Sequence, residues 1–585
     1  MLEKKRLQPE GNKWDGVGQG YEGVANPWSR SFSLMPLIRC CINNYAPVII
    51  RRSFTVSRSK LSELGKMNSA PPYSARLLPL RLPRVCVAVI GSDPNEMAEK
   101  AELLVRDNSF LEFRLDYLSK PGLALPRIKR FLESHPGTVV IATCRRVSSG
   151  GKFRGSIVSQ LDVLNKAAAA GCQLVDVELQ TASKCKPEQL QKLRTRAALI
   201  LSFHDFRATK KLDETLEKML VYPADFYKIV STATTLSDNV TMIKFLALEG
   251  DRHSLIGMCM GEQGIISRVL GVRAGSVFTF ASAIAGEETA AGQVTAQELR
   301  NVYRIEQVDV ATRVYGVVGD PISHSLSPAI MNAAFRRENV NAVFLALHAK
   351  VLKDLLTCVR EIPIYGVSVT MPYKESILPH LDNTDAHTTK IGACNTVVRA
   401  QDGKLYGFNT DAAGIVRPLE RRLNTLEGAR ILVIGAGGAA RAAVFGLKER
   451  GSEVYILNRS AAPAKKLSHQ ARARIIKRPD LKKLAFDVII NATPVGMGNQ
   501  RESPLQEHEI NARYVFDMVY DPAETRFLKL ARERGAQIIP GIEMFVQQAA
   551  RQFEIWTGKP APFDEMLRVV LLALQERAKR SAAGK

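Results

Sequence analysis

The stretch "YPADFYKIVST", residues 222–232, places one lysine, Lys228, in the middle of an apolar run. The aromatic and β-branched residues on both sides of it predict a short buried strand. Successive side chains of a strand point to opposite faces, so the simplest interpretation is that Lys228 points to water. Whether water lies within reach depends on the fold to which this strand belongs.

Similar apolar runs occur eight times between residues 85 and 283, at intervals of 23 to 36 residues. The gaps between them hold helix-like stretches such as "LDVLNKAAAAG", residues 161–171. Eight consecutive strand–helix units are typical of a (β/α)8 barrel. The runs begin at Val85, Phe110, Thr138, Leu174, Ala198, Phe226, Ser254 and Val277.

The chemistry of such barrels lies at the C-terminal ends of the strands. In a closed barrel Lys228 faces either the packed interior or the helix layer, so the water-facing interpretation loses its support. An amine in low dielectric loses hydration, is deprotonated more easily and can attack a carbonyl to form a Schiff base. His204, on the neighbouring strand, is either a satisfied core residue or the proton shuttle for that reaction. Other polar residues at the strand ends are Glu112, Arg114, Asp116, Arg145 and Asp205.

A second pattern starts with "VYGVVGDPISHSLSPAIMNAAF", residues 314–335. A strand leads into a turn that contains Ser325 and Ser327, and Pro328 opens a helix. Both serines fit simple helix capping. Farther on, polar residues follow predicted short strands at Lys374, Asn395 and Asp411.

The stretch "ARILVIGAGGAARAAVFGL", residues 429–447, reads as a strand, a glycine turn and a helix. It matches the dinucleotide-binding pattern, which assigns cofactor binding to Gly435, Ala436, Gly437, Gly438, Ala439 and Ala440. The next strand ends in Asn458, Arg459 and Ser460, where NAD enzymes carry an acid. An arginine without a neighbouring carboxylate favours the 2′-phosphate of NADP.

The length, composition and net charge of the chain exclude some classes of protein. The chain has 585 residues, too many for a single core, with 46% hydrophobic and 24% charged residues, as in ordinary globular proteins. No apolar run approaches the roughly 20 residues of a membrane helix. The nine cysteines show no metal-ligand spacing, so we expect no metal. The net charge of +23 is spread along the chain without a nucleic-acid-binding motif, which favours small anionic substrates as partners over nucleic acid.

Residues 1–83 show no sustained apolar period, and we expect them to form a disordered extension. Residues 26–66 contain one acid, Glu63, as in a transit peptide, but four acids crowd the first 22 residues, where such peptides are acid-poor. We therefore expect a cytoplasmic protein, with a plastid as the alternative and Met67 as an alternative start. The apolar stretch "SARLLPLRLPR", residues 74–84, suits a position across the N-terminal end of the barrel.

The motifs "EFRLD", "SFHDF", "FYKIV" and "SRVLGVRAGSVFTFA" occur in this order over residues 84–305, which closely resembles type I 3-dehydroquinate dehydratases. The resemblance implies that Lys228 forms an imine with the C3 ketone of 3-dehydroquinate and that His204 moves the protons. Two departures are Ser149, where the family has an acid, and Ala291, where it has a proline. Implied substrate-binding residues are Glu112, Arg114, Arg145, Arg268 and Gln293.

Residues 313–578 closely resemble shikimate dehydrogenases through the serine turn, "VSVTMPYK", "GACNTVV", "GFNTDAAG", the glycine turn and "NATPVGM". The resemblance implies that Lys374 and Asp411 form the catalytic pair and that NADP(H) is the cofactor. Pro463 stands where some relatives have a second basic residue, a role that Lys465 can take. Implied substrate-binding residues are Ser325, Ser327, Thr370, Asn395, Tyr520 and Gln548.

The predicted fold is α/β: an N-terminal (β/α)8 barrel followed by a two-domain shikimate dehydrogenase with a Rossmann-type NADP-binding domain. The predicted division is an extension at 1–83, the barrel at 84–305, a shikimate-binding domain at 313–412, the NADP-binding domain at 413–548 and a C-terminal helical segment at 549–578 that returns to the substrate domain. We expect each domain to have its own core. The resemblance implies two consecutive reactions, dehydration to 3-dehydroshikimate and its reduction to shikimate.

Two alternatives are a non-catalytic sensor, which belongs to another functional class, and a quinate dehydrogenase, which is a closer relative. A non-catalytic sensor would share these folds, but catalytic residues decay in such proteins, and here Lys228, His204, Lys374 and Asp411 are all present. A quinate dehydrogenase must admit an extra hydroxyl, and such relatives often change the second serine or the threonine. Ser327 and Thr370 keep the shikimate pattern.

Overall fold

The computed structural model describes residues 78–79, 81–322, 325–497, 499 and 501–583. The predicted disordered extension therefore lies outside the described residues up to position 77. Within the described ranges, no helix is both long and apolar enough to cross a bilayer.

The first eight strands form the predicted barrel. They pair in parallel from β7 through β1 to β8, and Val277 N donates to Leu255 O at 2.8 Å across the remaining gap. The predicted strand starts are confirmed to within two residues. The strands are β1 (Val85–Val89), β2 (Phe110–Arg114), β3 (Val139–Thr143), β4 (Leu174–Glu178), β5 (Ala198–His204), β6 (Phe226–Thr232), β7 (Leu255–Met260) and β8 (Thr279–Ser282).

Helices fill the intervals between the barrel strands and cover their outer face. They are α1 (Pro94–Leu104), α2 (Leu125–Ser134), α3 (Ile157–Ala169), α4 (Leu179–Ala182), α5 (Pro187–Arg194), α6 (Leu212–Leu220), α7 (Ser237–Glu249), α8 (Ile265–Ala274) and α9 (Ala296–Asn301).

The inward-pointing strand positions change from apolar to polar along the barrel axis. At the N-terminal end they form an apolar cluster that includes Phe110, Ile200 and Phe278. Leu78 and Leu82 pack against this cluster, in agreement with the position predicted for residues 74–84. Toward the C-terminal ends the same alternation brings polar side chains inward. They are the buried Glu112, Arg114, Thr143, Asp176, Ser202 and Lys228 and the half-buried His204.

The second sheet has six strands in the order β10-β9-β11-β13-β14-β12, with antiparallel pairs on either side of β13. Its strands are β9 (Arg313–Gly319), β10 (Ala342–His348), β11 (Ile364–Val369), β12 (Asn383–Thr384), β13 (Thr396–Arg399) and β14 (Leu405–Phe408). The accompanying helices are α10 (Ser327–Arg337), α11 (Leu352–Glu361), α12 (Ala386–Ile391) and α13 (Asp411–Leu423), with Pro328 in the first turn of α10 as predicted.

The third sheet is entirely parallel in the order β17-β16-β15-β18-β19-β20, which is the doubly wound order of dinucleotide-binding domains. Its strands are β15 (Arg430–Ile434), β16 (Glu453–Leu457), β17 (Arg474–Ile475), β18 (Phe486–Asn491), β19 (Ala512–Asp517) and β20 (Gln537–Ile539). Its helices are α14 (Gly438–Lys448), α15 (Ala461–Ala471) and α16 (Arg526–Glu533).

Two C-terminal helices, α17 (Gly541–Thr557) and α18 (Phe563–Ala583), complete the chain. Phe553 and Trp556 of α17 join an apolar cluster with Tyr315 and Phe344 of the second sheet. The division points at 305, 313, 412 and 548 stay predictions.

The barrel and the second sheet share one hydrophobic core, so the expectation of separate cores is wrong here. A continuous buried cluster runs from Phe245 and Val269 on the barrel helices to Leu355 of α11 and Val314 of β9. The physical reason is that α8 is buried along most of its length. A helix that is apolar on nearly all sides needs a partner on its outer side as well as the barrel on its inner side.

Candidate active sites

Lys228 points into the barrel and is only 3% exposed. Its Nζ lies 3.0 Å from Asp176 Oδ2 and 3.8 Å from the centre of the Phe280 ring. The water-facing interpretation of Lys228 is therefore wrong. The structure instead places a primary amine in a buried position beside the Asp176 carboxylate.

Asp176 is a residue that our interpretation of the sequence missed. It accepts hydrogen bonds from Ser202 Oγ at 2.6 Å and from Arg145 Nη2 at 2.9 Å. Burial alone would raise the pKa of Asp176, but Lys228 and Arg145 outweigh burial and hold that pKa well below its ordinary value. The sequence did contain a signal for Asp176, because this acidic residue lies inside the apolar run "LVDVEL", residues 174–179. A charged residue inside an apolar run also marked Lys228.

His204 ends β5 on the same inner face. Ser202 is the register partner of Lys228, and His204 lies two residues farther on, so both side chains point inward. Burial, together with the positive charges of Arg145 and Lys228, lowers the pKa of His204 well below its ordinary value. The imidazole is thus neutral at neutral pH, the form that accepts a proton. Its Nδ1 is buried without a hydrogen-bond partner among the described residues.

Arg268 is a buried cation, 2% exposed, on the wall of the same pocket. Its Nη2 donates to Ala291 O at 3.2 Å, and its Nε has no partner in the described part of the chain. Burial lowers the pKa of Arg268 to about 10, and no described carboxylate offsets this effect. A guanidinium in this state is suited to pair with a substrate carboxylate.

The remaining predicted dehydratase residues are held by partners. Glu112 accepts from Thr143 Oγ1 at 2.7 Å, and Arg114 donates twice to Asp116 at 2.9 and 3.0 Å. Although burial opposes it, the charge of Asp116 raises the pKa of Arg114. These pairs fix the pocket wall.

Gln293 is buried at the end of a loop that follows β8. Its Oε1 accepts from the Thr289 backbone N at 2.7 Å and from the Thr289 hydroxyl at 3.1 Å. The loop carbonyl of Ala291 also accepts from Gly261 N at 2.9 Å, at the mouth of the barrel. We call residues 288–293 the closing loop.

The second site brings Lys374, Asp411 and Asn395 together. Lys374 forms an ion pair with Asp411 Oδ2, while Asn395 Nδ2 donates to Asp411 Oδ1 at 2.8 Å. The pair is largely buried, with side-chain exposures of 16% and 3%. Gln548, the predicted contact on α17, lies 3.4 Å from Asn395 Nδ2.

The expectation that Asn395 follows a strand is wrong, because Asn395 directly precedes β13. Antiparallel pairing explains why it still reaches the site: Thr396 is the register partner of Ser368 near the end of β11, so the start of β13 lies at the C-terminal edge of β11. Gln552, which our interpretation of the sequence missed, donates to Asn395 O at 3.0 Å and fixes this segment.

The predicted carboxylate-binding serines, Ser325 and Ser327, lie on one loop, next to two other predicted substrate contacts. Ser325 Oγ accepts from Ser327 N at 3.3 Å, so Ser325 also contributes to the start of α10. Tyr520 hydrogen-bonds the backbone of Leu326, and burial raises its pKa. Thr370 N donates to Val318 O at the base of the same loop.

The turn between β15 and α14 has the geometry of a phosphate cradle. Gly435 adopts φ +120°, a left-handed conformation that favours glycine, and a Cβ on Gly438 would lie 2.9 Å from Lys374 Cβ. The start of α14 thus approaches the Lys374–Asp411 pair, and a helix N-terminus favours phosphate. This turn therefore fits the binding of a dinucleotide by residues Ala436 to Ala440, which include Gly437.

The end of β16 lacks an acid, as the sequence indicates. Asn458 Nδ2 donates to Ser460 O at 2.8 Å, which shapes the turn, and Arg459 is exposed. Among the described residues, no group of His, Cys, Asp and Glu side chains is arranged to hold a metal ion.

Four family models match the chain: type I 3-dehydroquinase over residues 85–310, the shikimate dehydrogenase substrate binding domain over 317–397, shikimate/quinate 5-dehydrogenase over 418–516 and the shikimate 5′-dehydrogenase C-terminal domain over 541–571. The bifunctional 3-dehydroquinate dehydratase/shikimate dehydrogenase of Arabidopsis thaliana, named as chloroplastic, is 34% identical over 503 residues, 82% of each chain. The chain belongs to this bifunctional family.

Shorter relatives match only the dehydrogenase half of this bifunctional chain. The shikimate dehydrogenase (NADP(+)) of Nitrosopumilus maritimus is 40% identical and covers 44% of this chain and 98% of its own length. A solved Thermus thermophilus shikimate 5-dehydrogenase in complex with NADP(H) and shikimate is 34% identical, with a TM-score of 0.42 over 45% of this chain and 100% of that chain.

Proposed function

We propose that the chain dehydrates 3-dehydroquinate to 3-dehydroshikimate in its barrel and reduces 3-dehydroshikimate to shikimate with NADPH in its second half. The enzyme is thus a lyase and an oxidoreductase of the shikimate pathway. The observation that carries this proposal is the buried Lys228 amine, held 3.0 Å from Asp176 on the inner face that also carries His204.

In the dehydratase site, the Lys228 ammonium passes a proton to neutral His204, and the resulting amine attacks the C3 ketone. The hydroxyl of the carbinolamine then leaves as water with that proton, so a protonated imine remains. The protonated imine withdraws electrons and acidifies the C2 proton, which neutral His204 removes. The C1 hydroxyl leaves as water with a proton from His204, and hydrolysis of the imine frees Lys228. The net reaction releases one water molecule.

Arg268 pairs with the substrate carboxylate, which neutralises a buried guanidinium that no described carboxylate neutralises. Glu112, Arg114 and Arg145 position the ring hydroxyls, and Gln293 covers the substrate from the closing loop. These roles rest on the burial of the five side chains and their place on the pocket wall.

In the dehydrogenase site, Ser325 and Ser327 bind the substrate carboxylate, while Thr370, Asn395, Tyr520 and Gln548 orient the ring. Lys374, held by Asp411, donates a proton to the carbonyl oxygen as negative charge develops on it.

NADPH supplies the hydride for this reduction. The turn from Gly435 to Ala440 holds its pyrophosphate at the start of α14, and Asn458, Arg459 and Ser460 bind its ribose 2′-phosphate. This described turn carries no acidic residue that would repel the 2′-phosphate, so it fits NADPH better than NADH.

The test is conversion of 3-dehydroquinate to shikimate by the full chain with NADPH. We expect 3-dehydroshikimate without cofactor, and shikimate with an equivalent loss of NADPH when it is added. Quinate with NADP+ should react far more slowly than shikimate. If no 3-dehydroshikimate forms when NADPH is left out, the dehydratase assignment is overturned. A preference for quinate over shikimate would overturn the dehydrogenase assignment.

The compartment that we propose is the cytosol, supported by the acids at positions 3, 10, 15 and 22. The Arabidopsis relative is named as chloroplastic. Imaging of the chain with a C-terminal fluorescent fusion in plant cells tests the compartment. Plastid fluorescence with cleavage between residues 26 and 83 would overturn the cytosolic proposal.

A further inference from the structure

One histidine bridges the dehydratase mouth and the dehydrogenase. His348 is the last residue of β10, and its Nδ1 lies 3.2 Å from Glu262 Oε2 at the end of barrel strand β7. Its Nε2 lies 2.9 Å from Asp320 Oδ1, in the turn after β9. The His348 ring therefore lies between two carboxylates, one from each half of the chain.

On the barrel side, Glu262 follows the residue that anchors the closing loop. Gly261 N donates to Ala291 O at 2.9 Å, and a Cβ on Gly292 would lie 2.2 Å from Gly261 O and 3.1 Å from Glu262 N. The backbone of the closing loop is therefore in contact with the turn that His348 holds.

On the dehydrogenase side, Asp320 opens the turn that leads to Ser325 and Ser327. Asp320 N donates to Met371 O at 3.1 Å, which joins this turn to the segment that contains Thr370. A shift of Asp320 would be transmitted to the carboxylate-binding serines through only a few residues.

A second connection starts from the same strand end. Tyr373 Oη donates to Ala349 O at 2.6 Å, directly after His348. Tyr373 precedes Lys374, the proton donor of the dehydrogenase. The end of β10 therefore contacts both the substrate loop and the catalytic lysine segment.

We propose that His348 is a positioning residue that couples the closing loop of the dehydratase to the substrate-binding loop of the dehydrogenase. This inference rests on the proposed function for the two reactions. His348 is not a catalytic residue, because its contacts are Glu262 and Asp320. It couples the two KM values: a change on one side of the bridge alters substrate binding on the other side.

The sharpest test is Glu262→Gln, because Glu262 belongs to the barrel and its side chain is 78% exposed, so the change does not threaten folding. We expect the KM for shikimate with NADP+ to rise about two- to five-fold, the range of a partly exposed ion pair, with kcat unchanged. The reciprocal variant Asp320→Asn should raise the dehydratase KM for 3-dehydroquinate, because it breaks the same bridge from the dehydrogenase side.

The matched control is Glu361→Gln, which breaks the ion pair between Lys244 of α7 and Glu361 of α11, at 2.6 Å, across the same interface. It should leave both KM values unchanged, because neither residue contacts a substrate loop. His348→Ala should raise both KM values, and His348→Gln, which keeps a donor, should restore them in part.

An unchanged shikimate KM in Glu262→Gln, or the same rise in Glu361→Gln, would overturn the coupling. Failure of the proposed function can be distinguished from failure of the coupling. If the proposed function is wrong, the unmodified chain lacks one of the two activities when each is assayed separately.

Discussion

The Lys228 ammonium and the Asp176 carboxylate form a buried ion pair at 3.0 Å, with both side chains at most 4% exposed. Asp176 also accepts from Ser202 and Arg145, so the carboxylate is fixed from three sides. A fixed carboxylate determines where the amine lies before a substrate arrives. Preorganisation of this kind positions the Lys228 nitrogen for attack on a substrate carbonyl, which follows once the ammonium has passed its proton to His204.

Asp176→Asn should lower the dehydratase kcat by about two orders of magnitude and lower the melting temperature of the chain. The physical reason is that removal of one partner from a buried pair costs about 3–5 kcal/mol, since Lys228 and Arg145 lose their counter-charge. Asp162→Asn removes an exposed ion pair with Lys166 and should change neither quantity. Full dehydratase activity in Asp176→Asn would contradict the role of the pair.

Borohydride added with 3-dehydroquinate should reduce the imine and leave a stable adduct on Lys228, located by mass spectrometry of peptides. Lys228→Met should give no adduct and no dehydration. It should still reduce 3-dehydroshikimate, because the core shared by the two halves lies on the outer face of the barrel strands, whereas Lys228 points inward. An adduct on another lysine would refute the assignment.

The sequence predicts those strands and turns that are determined by residues close together along the chain. The alternation around Lys228 and the glycine turn at Gly435 each determine their own strand and turn. Asp176 carried a comparable local signal that our interpretation overlooked. His348 and Gln552 carried none, because their partners lie 86 and 157 residues away along the chain, and only the fold brings them together.

Arg459→Ala should raise the KM for NADPH far more than the KM for NADH. The reason is that only NADPH carries the 2′-phosphate with which an arginine forms charge-assisted hydrogen bonds. Steady-state kinetics with each cofactor measures the difference, and Lys529→Ala, an exposed lysine on α16, serves as the control. Equal effects of Arg459→Ala on both cofactors would place the 2′-phosphate elsewhere.

Asp517 makes the stability of the NADP-binding domain depend on pH. It lies at the end of β19 and accepts from Thr525 Oγ1 at 2.6 Å and Asn491 Nδ2 at 2.9 Å, yet burial outweighs these bonds and raises its pKa to about 6. The pKa of Asp517 in the folded protein lies above its value in the unfolded chain. The contribution of Asp517 to the free energy of unfolding is therefore present below about pH 4 and is lost as the pH rises through about 6.

Asp517→Asn removes this titration. The stability of the variant relative to the natural chain should therefore increase between about pH 3 and about pH 8, by as much as about 3 kcal/mol for a shift of about two pKa units. Urea unfolding followed by a probe in the NADP-binding domain measures it. Thr525→Val removes a hydrogen bond to the carboxylate and should move the midpoint to higher pH. A pH-independent difference for Asp517→Asn would show that the group does not titrate in this range.

A chain that begins at Met67 should keep both activities, with kcat and melting temperature close to those of the full chain. It retains Leu78 and Leu82, which pack against the apolar cluster at the N-terminal end of the barrel. A chain that begins at Arg84 removes both leucines and uncovers that cluster. We expect a lower melting temperature for it, since each partly buried leucine contributes about 1 kcal/mol.

Leu82→Ser in the full chain is the matched variant, and it should reproduce part of that loss without any change in length. Dehydratase activity should fall with the melting temperature, because the strands that carry Lys228 and His204 start at the uncovered end. If the chain from Met67 aggregates or loses either activity, residues before Met67 are part of the fold. Equal stability of the chains from Met67 and Arg84 would instead show that the two leucines contribute nothing to the barrel.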